Sequence, residues 1–178
     1  MPNDNITRAI KKGTGELGGA SYEELSFEGY GAGGVAVIVE CLTDNNNRTA
    51  SFIRSTFDKY GGNLGTPGCV SYMFSRKGVL VIEKTDEIDE DALMEAMLEA
   101  GADDMETEED CFTIYTDPAA YTEVYENLKS AGYEFVESDI EMVPSMESTP
   151  TGEDVIKNLR KMMDILEDHD DVQKVHDN

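Results

Sequence analysis

Positive charge is what this sequence has least of. Of its 178 residues, 14 are Lys or Arg against 38 Asp or Glu, a formal net charge of −24. A surface so negative repels a phosphate backbone at long range, so any contact with nucleic acid has to be local. Histidine is scarcer still: the 2 present, His169 and His176, sit in or near the acidic run 167–171. Two solvated imidazoles account for them better than a weak cation site shared with Asp168 and Asp170. The 3 cysteines, Cys41, Cys69 and Cys111, are odd in number and form no CxxC pair, which reads as reduced, mostly buried thiols. Nothing approaches the roughly 18 consecutive apolar residues of a membrane-spanning helix. No basic-then-apolar leader precedes the first helical pattern, so the expected location is cytoplasmic and no membrane partner is expected.

Catalytic and ligand-binding signatures are equally thin. The sequence holds no GxxxxGK[ST] loop. Gly13–Gly18 spells GxGxxG, but it follows a helix rather than a strand and runs on through Gly19 and Ala20, the wrong setting for a dinucleotide. Gly29–Gly34 falls between two strands, as a hairpin turn does. Asp44–Asn47 resembles the start of a calcium loop until Arg48 and Thr49 break the ligand pattern; a helix-capping turn explains it. Cys69 follows a glycine and has no histidine near it in sequence, which fits a small buried residue rather than a nucleophile. No enzyme activity, cofactor, metal or small-molecule substrate is expected.

What is present is periodicity. Asn3 can cap a short helix with Ile6, Ala9 and Ile10 on one face and Arg8, Lys11 and Lys12 opposite. Tyr22–Tyr30 and Gly34–Thr43 read as strands joined by a glycine-rich turn. Asn47 is placed to cap a helix to Tyr60, with Ile53, Thr56, Phe57 and Tyr60 inward and Arg48, Ser55 and Lys59 outward. Gly61 and Gly62 close it, Gly65, Pro67 and Gly68 make a turn cluster, and Val70–Phe74 alternates like a strand. From Gly78 the pattern restarts: strand 79–83, helix 89–100, strands near 103–108 and 111–116, a helix opened by Pro118, and strand 134–143. That βαββαβ order is the ferredoxin-like arrangement. Val136, Ile140 and Met142 are expected to face inward on its last strand, with Glu137, Asp139 and Glu141 outward. Met94, Met97, Met162 and Met163 are expected in the cores. A helix at 153–168 and a strand near 172–175 close the chain, and both need the sheet of the first half to pack on.

The fold class expected is therefore α+β. A discontinuous domain is formed by residues 14–77 plus 144–178, and a ferredoxin-like domain, 78–143, is inserted into it. Charge follows the same division. Residues 1–76 carry 7 basic and 8 acidic side chains, 77–143 carry 3 and 21, and 144–178 carry 4 and 9. The insert has acidic outward positions and no RNP-like run, so it should repel RNA. Phosphate contact is expected instead from Arg8, Lys11 and Lys12, from Arg48, Arg54 and Lys59, and from Arg76 and Lys77 at the junction.

Three segments carry a resemblance: FDKYGGNLGTPGCVSYMFSRKG (57–78), TDNNNRTAS (43–51) and the opening NDNITRAIKKGTGE (3–16). With the closing DDVQKVHDN they make the chain similar, over nearly its whole length, to the YebC/PmpR family. Those are proteins described as transcriptional regulators and mitochondrial translational activators. The resemblance implies a YebC-like fold with the same inserted domain. It also implies a non-enzymatic regulator of gene expression that meets DNA, or RNA on the ribosome, through basic surfaces. Relatives usually carry a further basic helical region, and residues 1–13 resemble its end, a remnant helix. They also commonly have arginine where Asn46 stands and serine where Cys69 stands. An alternative role is a protein-interaction module whose acidic insert captures a basic partner.

Overall fold

The computed structural model describes residues 21–178. The first helix expected from the sequence, with Arg8, Lys11 and Lys12, and the Gly13–Gly18 motif lie outside the described residues. The chain divides into two units: one takes in the described residues up to Phe74 together with Pro144–Asn178, the other is Ser75–Val143.

The first unit is built on an antiparallel sheet of β1 (Glu23–Tyr30), β2 (Ala36–Thr43), β3 (Asn63–Leu64) and β8 (Val172–Asp177), in the order β3-β1-β2-β8. β2 is central and buried on both faces except at Glu40, which is why it reads as an apolar run broken at that one position before Thr43. On one face Val35, Val37, Val39 and Cys41 meet Ile53 and Phe57 of α1 (Asn46–Lys59) and Leu159, Met162 and Leu166 of α4 (Glu153–Asp168). The inward residues of α1 are those its periodicity predicts, Ile53, Thr56 and Phe57 being buried and Tyr60 partly so. α4 also has the bounds expected for it, because Val155, Leu159, Met162 and Leu166 leave one apolar stripe.

The second unit follows the element order β4 (Phe74–Glu83), α2 (Glu90–Ala100), β5 (Asp104–Thr107), β6 (Cys111–Thr116), α3 (Tyr121–Ser130) and β7 (Glu137–Pro144), with strands in the order β5-β6-β4-β7. Leu80, Ile82, Phe112 and Ile114 from the sheet pack with Leu93, Met97, Val124 and Leu128 from the two helices. Asp89 caps α2 by accepting a hydrogen bond from the Asp91 N–H at 3.0 Å.

Several expectations need correction. Asn45, not Asn47, caps α1, its side-chain oxygen accepting from the Arg48 N–H at 3.1 Å. Val70–Phe74 is not a strand: Ser71–Met73 is a turn of 3-10 helix, and β4 begins at Phe74. The Glu28 carboxylate takes the N–H groups of Val70 and Ser71, at 3.1 and 2.9 Å, that a strand would have given to a neighbour. No break falls at Gly78. It lies inside β4, where a Cβ would stand 2.6 Å from both Thr116 Cγ2 and Tyr121 Cδ2, so the glycine marks a close approach. Tyr121, three residues after Pro118, starts α3. Val136 is 65 % exposed, and Phe135 takes the place against Tyr125, their rings 5.0 Å apart. Met94 is likewise exposed rather than in the core. Among the described residues no helix is long and apolar enough to cross a membrane.

Candidate nucleic-acid interface

Arg48 stands in the first turn of α1, and its guanidinium is committed to carboxylates. Nη2 donates to Asp44 Oδ1 at 3.0 Å and to Asp171 Oδ2 at 2.9 Å. Asp171 is buried at the turn before β8, and also accepts from the hydroxyls of Thr49 at 2.9 Å and Thr43 at 3.3 Å. Its own carbonyl accepts the Leu42 N–H at 2.7 Å. Burial alone would raise the Asp171 pKa, but the Arg48 and Thr49 hydrogen bonds and the Arg48 charge outweigh it and hold the group below its ordinary value. This knot ties the end of β2 to the start of α1 and to β8. Arg48 therefore acts as an internal counter-ion, with part of its side chain still in water.

The other predicted cations differ in how free they are. Arg54 is on the exposed face of α1, above a shallow depression with Asn47, Ser51, Ser55 and Asp58, and makes no ion pair among the described residues. Lys59, at the C-terminal end of α1, lies 5.3 Å over the Tyr60 ring. Arg76 and Lys77 belong to the second unit. Arg76 is exposed, while Lys77 is half-buried with Nζ 5.3 Å from the Tyr115 ring centre. The hydroxyl of that same Tyr115 donates to Glu106 at 3.0 Å. Burial first, then Glu106, Glu108 and Asp104, push its pKa up to about 12. Lys84 and Lys129 also sit over rings, at 5.2 Å from Phe112 and 5.3 Å from Tyr125. All three lysines of the 77–143 stretch are thus held against their own aromatics, and its 21 carboxylates face water largely uncompensated.

Sequence reasoning passed over the most concentrated exposed cations. Lys157, Arg160 and Lys161 stand on the exposed side of α4 around Ile156 and make no ion pair among the described residues. Like charges at i and i+4 cost a helix a few tenths of a kcal/mol, so this grouping is not there for helix stability. The signal was available: three of the four basic residues in 144–178 fall at i, i+3 and i+4 on the helix face opposite Leu159, Met162 and Leu166. α1 and α4 pack side by side on the same sheet face, so Arg54 and this triad belong to one helical layer. A second signal lies in what is missing. Lys59–Ile82 runs for 24 residues without one Asp or Glu, in a chain where more than one residue in five is acidic.

None of the cysteine and histidine side chains is fully exposed. Burial pushes the Cys41 thiol up to about 12, and Cys69 and Cys111 are also raised, by burial first and by neighbouring carboxylates second. His169 stacks on Phe52 with ring centres 3.9 Å apart, and its Nδ1 accepts the Asp171 N–H at 3.1 Å. The two imidazoles are thus not the solvated pair the sequence suggests: His169 is half-buried, and His176 is buried on β8 with its Nε2 3.6 Å from Glu40 and making no hydrogen bond. Among the described residues, the ligand-type atoms that gather most closely are those of Glu108, Asp110 and Cys111, an acidic turn between β5 and β6.

A family model described as the second and third domain of TACO1/YebC matches residues 22–178. A probable transcriptional regulatory protein of Clostridium novyi is 58 % identical over 178 residues, all of this chain and 72 % of that protein. One of Geobacter sulfurreducens is 54 % identical over 178 residues, covering 71 % of its length. The crystal structure of a conserved hypothetical protein from Aquifex aeolicus superposes with a TM-score of 0.81 at 45 % identity, over all of this chain and 73 % of that one. With the family model spanning both units, and relatives this similar over the full chain, the protein belongs to the TACO1/YebC family of probable transcriptional regulatory proteins.

Proposed function

We propose that this protein is a non-enzymatic regulator of gene expression that associates with nucleic acid locally, through the outer layer of α1 and α4, within a larger assembly such as the ribosome. The observation that carries this is the grouping of exposed Arg54, Lys157, Arg160 and Lys161 on that one layer, in a chain whose net charge is −24. The acidic surface opposes condensation onto a naked duplex. A small cationic face still serves when other contacts bring the polyanion close. The name carried by the relatives, probable transcriptional regulatory protein, supports nucleic-acid association at the level of class. In this proposal residues 75–143 form a ferredoxin-like insert that turns phosphate away. Arg48 has a structural role and drops out of the expected contacts, while Arg54 stays among them.

The test is a salt titration of binding to duplex DNA and single-stranded RNA, alongside co-sedimentation with ribosomes. Weak binding to duplex DNA at physiological salt and retention on ribosomes are expected. Replacing Lys157, Arg160 and Lys161 by Ala should lower the slope of log K against log salt by about 2 on single strands and roughly 3 on duplex. Tight duplex binding at physiological salt, or an unchanged slope in the triple variant, would overturn the proposal.

A second role is favoured by one observation. The three lysines of the 77–143 stretch are turned onto aromatic rings, leaving a surface suited to a basic protein. A partner retained by the intact chain, and released when Glu106, Glu108 and Asp110 are changed to their amides, would support it.

A further inference from the structure

The loop between β3 and β4, Gly65–Met73, is braced far more firmly than a connection requires. Its first N–H, from Gly65, donates to the Glu28 carbonyl at 2.8 Å. The Glu28 carboxylate, 8 % exposed, then accepts the Val70 and Ser71 N–H groups. Burial would raise the pKa of that carboxyl, and hydrogen bonds from the loop, beginning with the backbone of Gly68 and Val70, hold it below its ordinary value. The Tyr30 hydroxyl donates to the Cys69 carbonyl at 3.4 Å. At the far end the Met73 carbonyl accepts from both the N–H and the hydroxyl of Ser145, at 2.7 and 2.9 Å. A buried carboxylate, a tyrosine and the Ser145 segment therefore all fix one short loop.

What the loop presents is Tyr72, 75 % exposed, the most exposed large apolar side chain among the described residues. Next in exposure is Met146, at 69 %. The two flank the Met73–Ser145 pair, each one residue away from it. Single exposed apolar side chains are ordinary on any surface. The two most exposed ones beside a single hydrogen-bonded pair, on a loop whose backbone is held by these hydrogen bonds, form a recognition feature, because an aromatic on a pre-positioned backbone has less ordering to lose on binding. Its charge setting indicates the partner. The loop lies inside Lys59–Ile82, a stretch free of acidic residues, and the Glu28 carboxylate bound to it is buried and taken up by its N–H groups, so the stretch itself adds little repulsion for a strand of phosphates. A basic protein would find no carboxylate in the stretch to pair with. An aromatic in a locally non-acidic setting matches an unpaired base, which stacks on a ring while its backbone remains near uncharged or basic surface.

We propose that Tyr72 is a stacking platform for an unpaired nucleobase of RNA. This inference rests on the nucleic-acid reading above and names the contact that would distinguish single strands from duplex. The chain contains no tryptophan, so Tyr72→Trp would place its sole indole at the site. With the full chain, a labelled single-stranded oligoadenylate is titrated at low salt, following label anisotropy and indole emission together. Inorganic polyphosphate, which has charge but no base, is the control. Anisotropy and indole quenching should rise on the same curve with oligoadenylate, whereas polyphosphate alone should leave emission unchanged and, added to the complex, should displace the strand and restore emission. Tyr72→Ala should weaken strand binding roughly 5- to 150-fold and Tyr72→Phe less than about twofold, since stacking needs the ring and not the hydroxyl.

Quenching by polyphosphate to the same extent, or wild-type affinity in Tyr72→Ala, would overturn the proposal. If the Lys157, Arg160 and Lys161 triple variant loses affinity while Tyr72→Ala does not, only the stacking inference fails. If the wild-type chain binds no strand at low salt, the nucleic-acid reading fails and takes this inference with it. A Tyr72 that serves a protein partner would leave strand affinity in Tyr72→Ala as in the wild type and the indole emission of Tyr72→Trp unchanged by the strand, which also refutes stacking.

Discussion

Replacing Arg48 by Met asks whether that residue is a surface cation or an internal counter-ion. Met keeps much of the aliphatic stem and removes the charge. A surface cation would be lost with a change within about 0.5 kcal/mol. Loss of a counter-ion would leave the buried Asp171 carboxylate with the Thr49 and Thr43 hydroxyls but without the Arg48 charge and its hydrogen bond. Removing one partner of a fully buried pair costs about 3–5 kcal/mol. The Arg48 side chain is 51 % exposed while that of Asp171 is 3 % exposed, so water screens part of the interaction. Roughly 2–3 kcal/mol is therefore expected, or a melting temperature lower by about 5–10 °C if the chain unfolds as one cooperative unit.

The pH dependence separates this from a packing loss. In the wild type the Asp171 pKa is held low, so its contribution is complete above the unfolded carboxylate value of about 3.9 and disappears as pH falls through the lower native value. In Arg48→Met burial dominates and the native pKa rises, so protonation on acidification relieves the variant. The gap in stability between the two proteins should narrow as pH drops from neutral toward about 4. Adding Asp171→Asn should restore part of the loss at neutral pH. Urea denaturation followed by circular dichroism measures all three proteins. A variant as stable as the wild type at neutral pH, or a gap that stays constant with pH, would refute the counter-ion role.

Two other outcomes follow from the packing. Gly78→Ala places a methyl 2.6 Å from Thr116 Cγ2 and Tyr121 Cδ2, and should destabilise the second unit by about 1–3 kcal/mol. Hydrogen exchange should then quicken in the β4 and β6 amides while β1 and β2 keep their protection; uniform quickening across both units would contradict this. Cys41, buried and pushed up to about 12, should resist alkylation in the native protein at mildly alkaline pH while Cys69 and Cys111 react. Mass spectrometry of the alkylated chain checks this, and labelling of Cys41 first would show that the strand is open.

Much of the secondary structure was legible because burial imposes a period. Ile53, Thr56 and Phe57 on α1, and Leu159, Met162 and Leu166 on α4, occupy the face their spacing predicts. The misses have a common cause. Val70–Phe74 alternates as a strand should, but its amides are taken by a carboxylate more than forty residues away, and no local pattern shows that. Arg48 was placed correctly on the outer face of its helix, yet its charge is taken up by Asp171, 123 positions on. The Lys157, Arg160 and Lys161 triad follows the same helical spacing as the apolar stripe of α4, on its opposite face.

By itself the sequence determined the sign of the electrostatics, the absence of a P-loop or disulfide framework, the α+β class and the family, since composition, periodicity and motif spelling are local properties of a chain. Only the tertiary structure decided which cations are free, which are counter-ions, and that the Gly65–Met73 loop is tied to Glu28 with Tyr72 outermost. Charge availability and exposure depend on what the fold brings within a few ångströms, and those neighbours lie tens to more than a hundred positions apart along the chain.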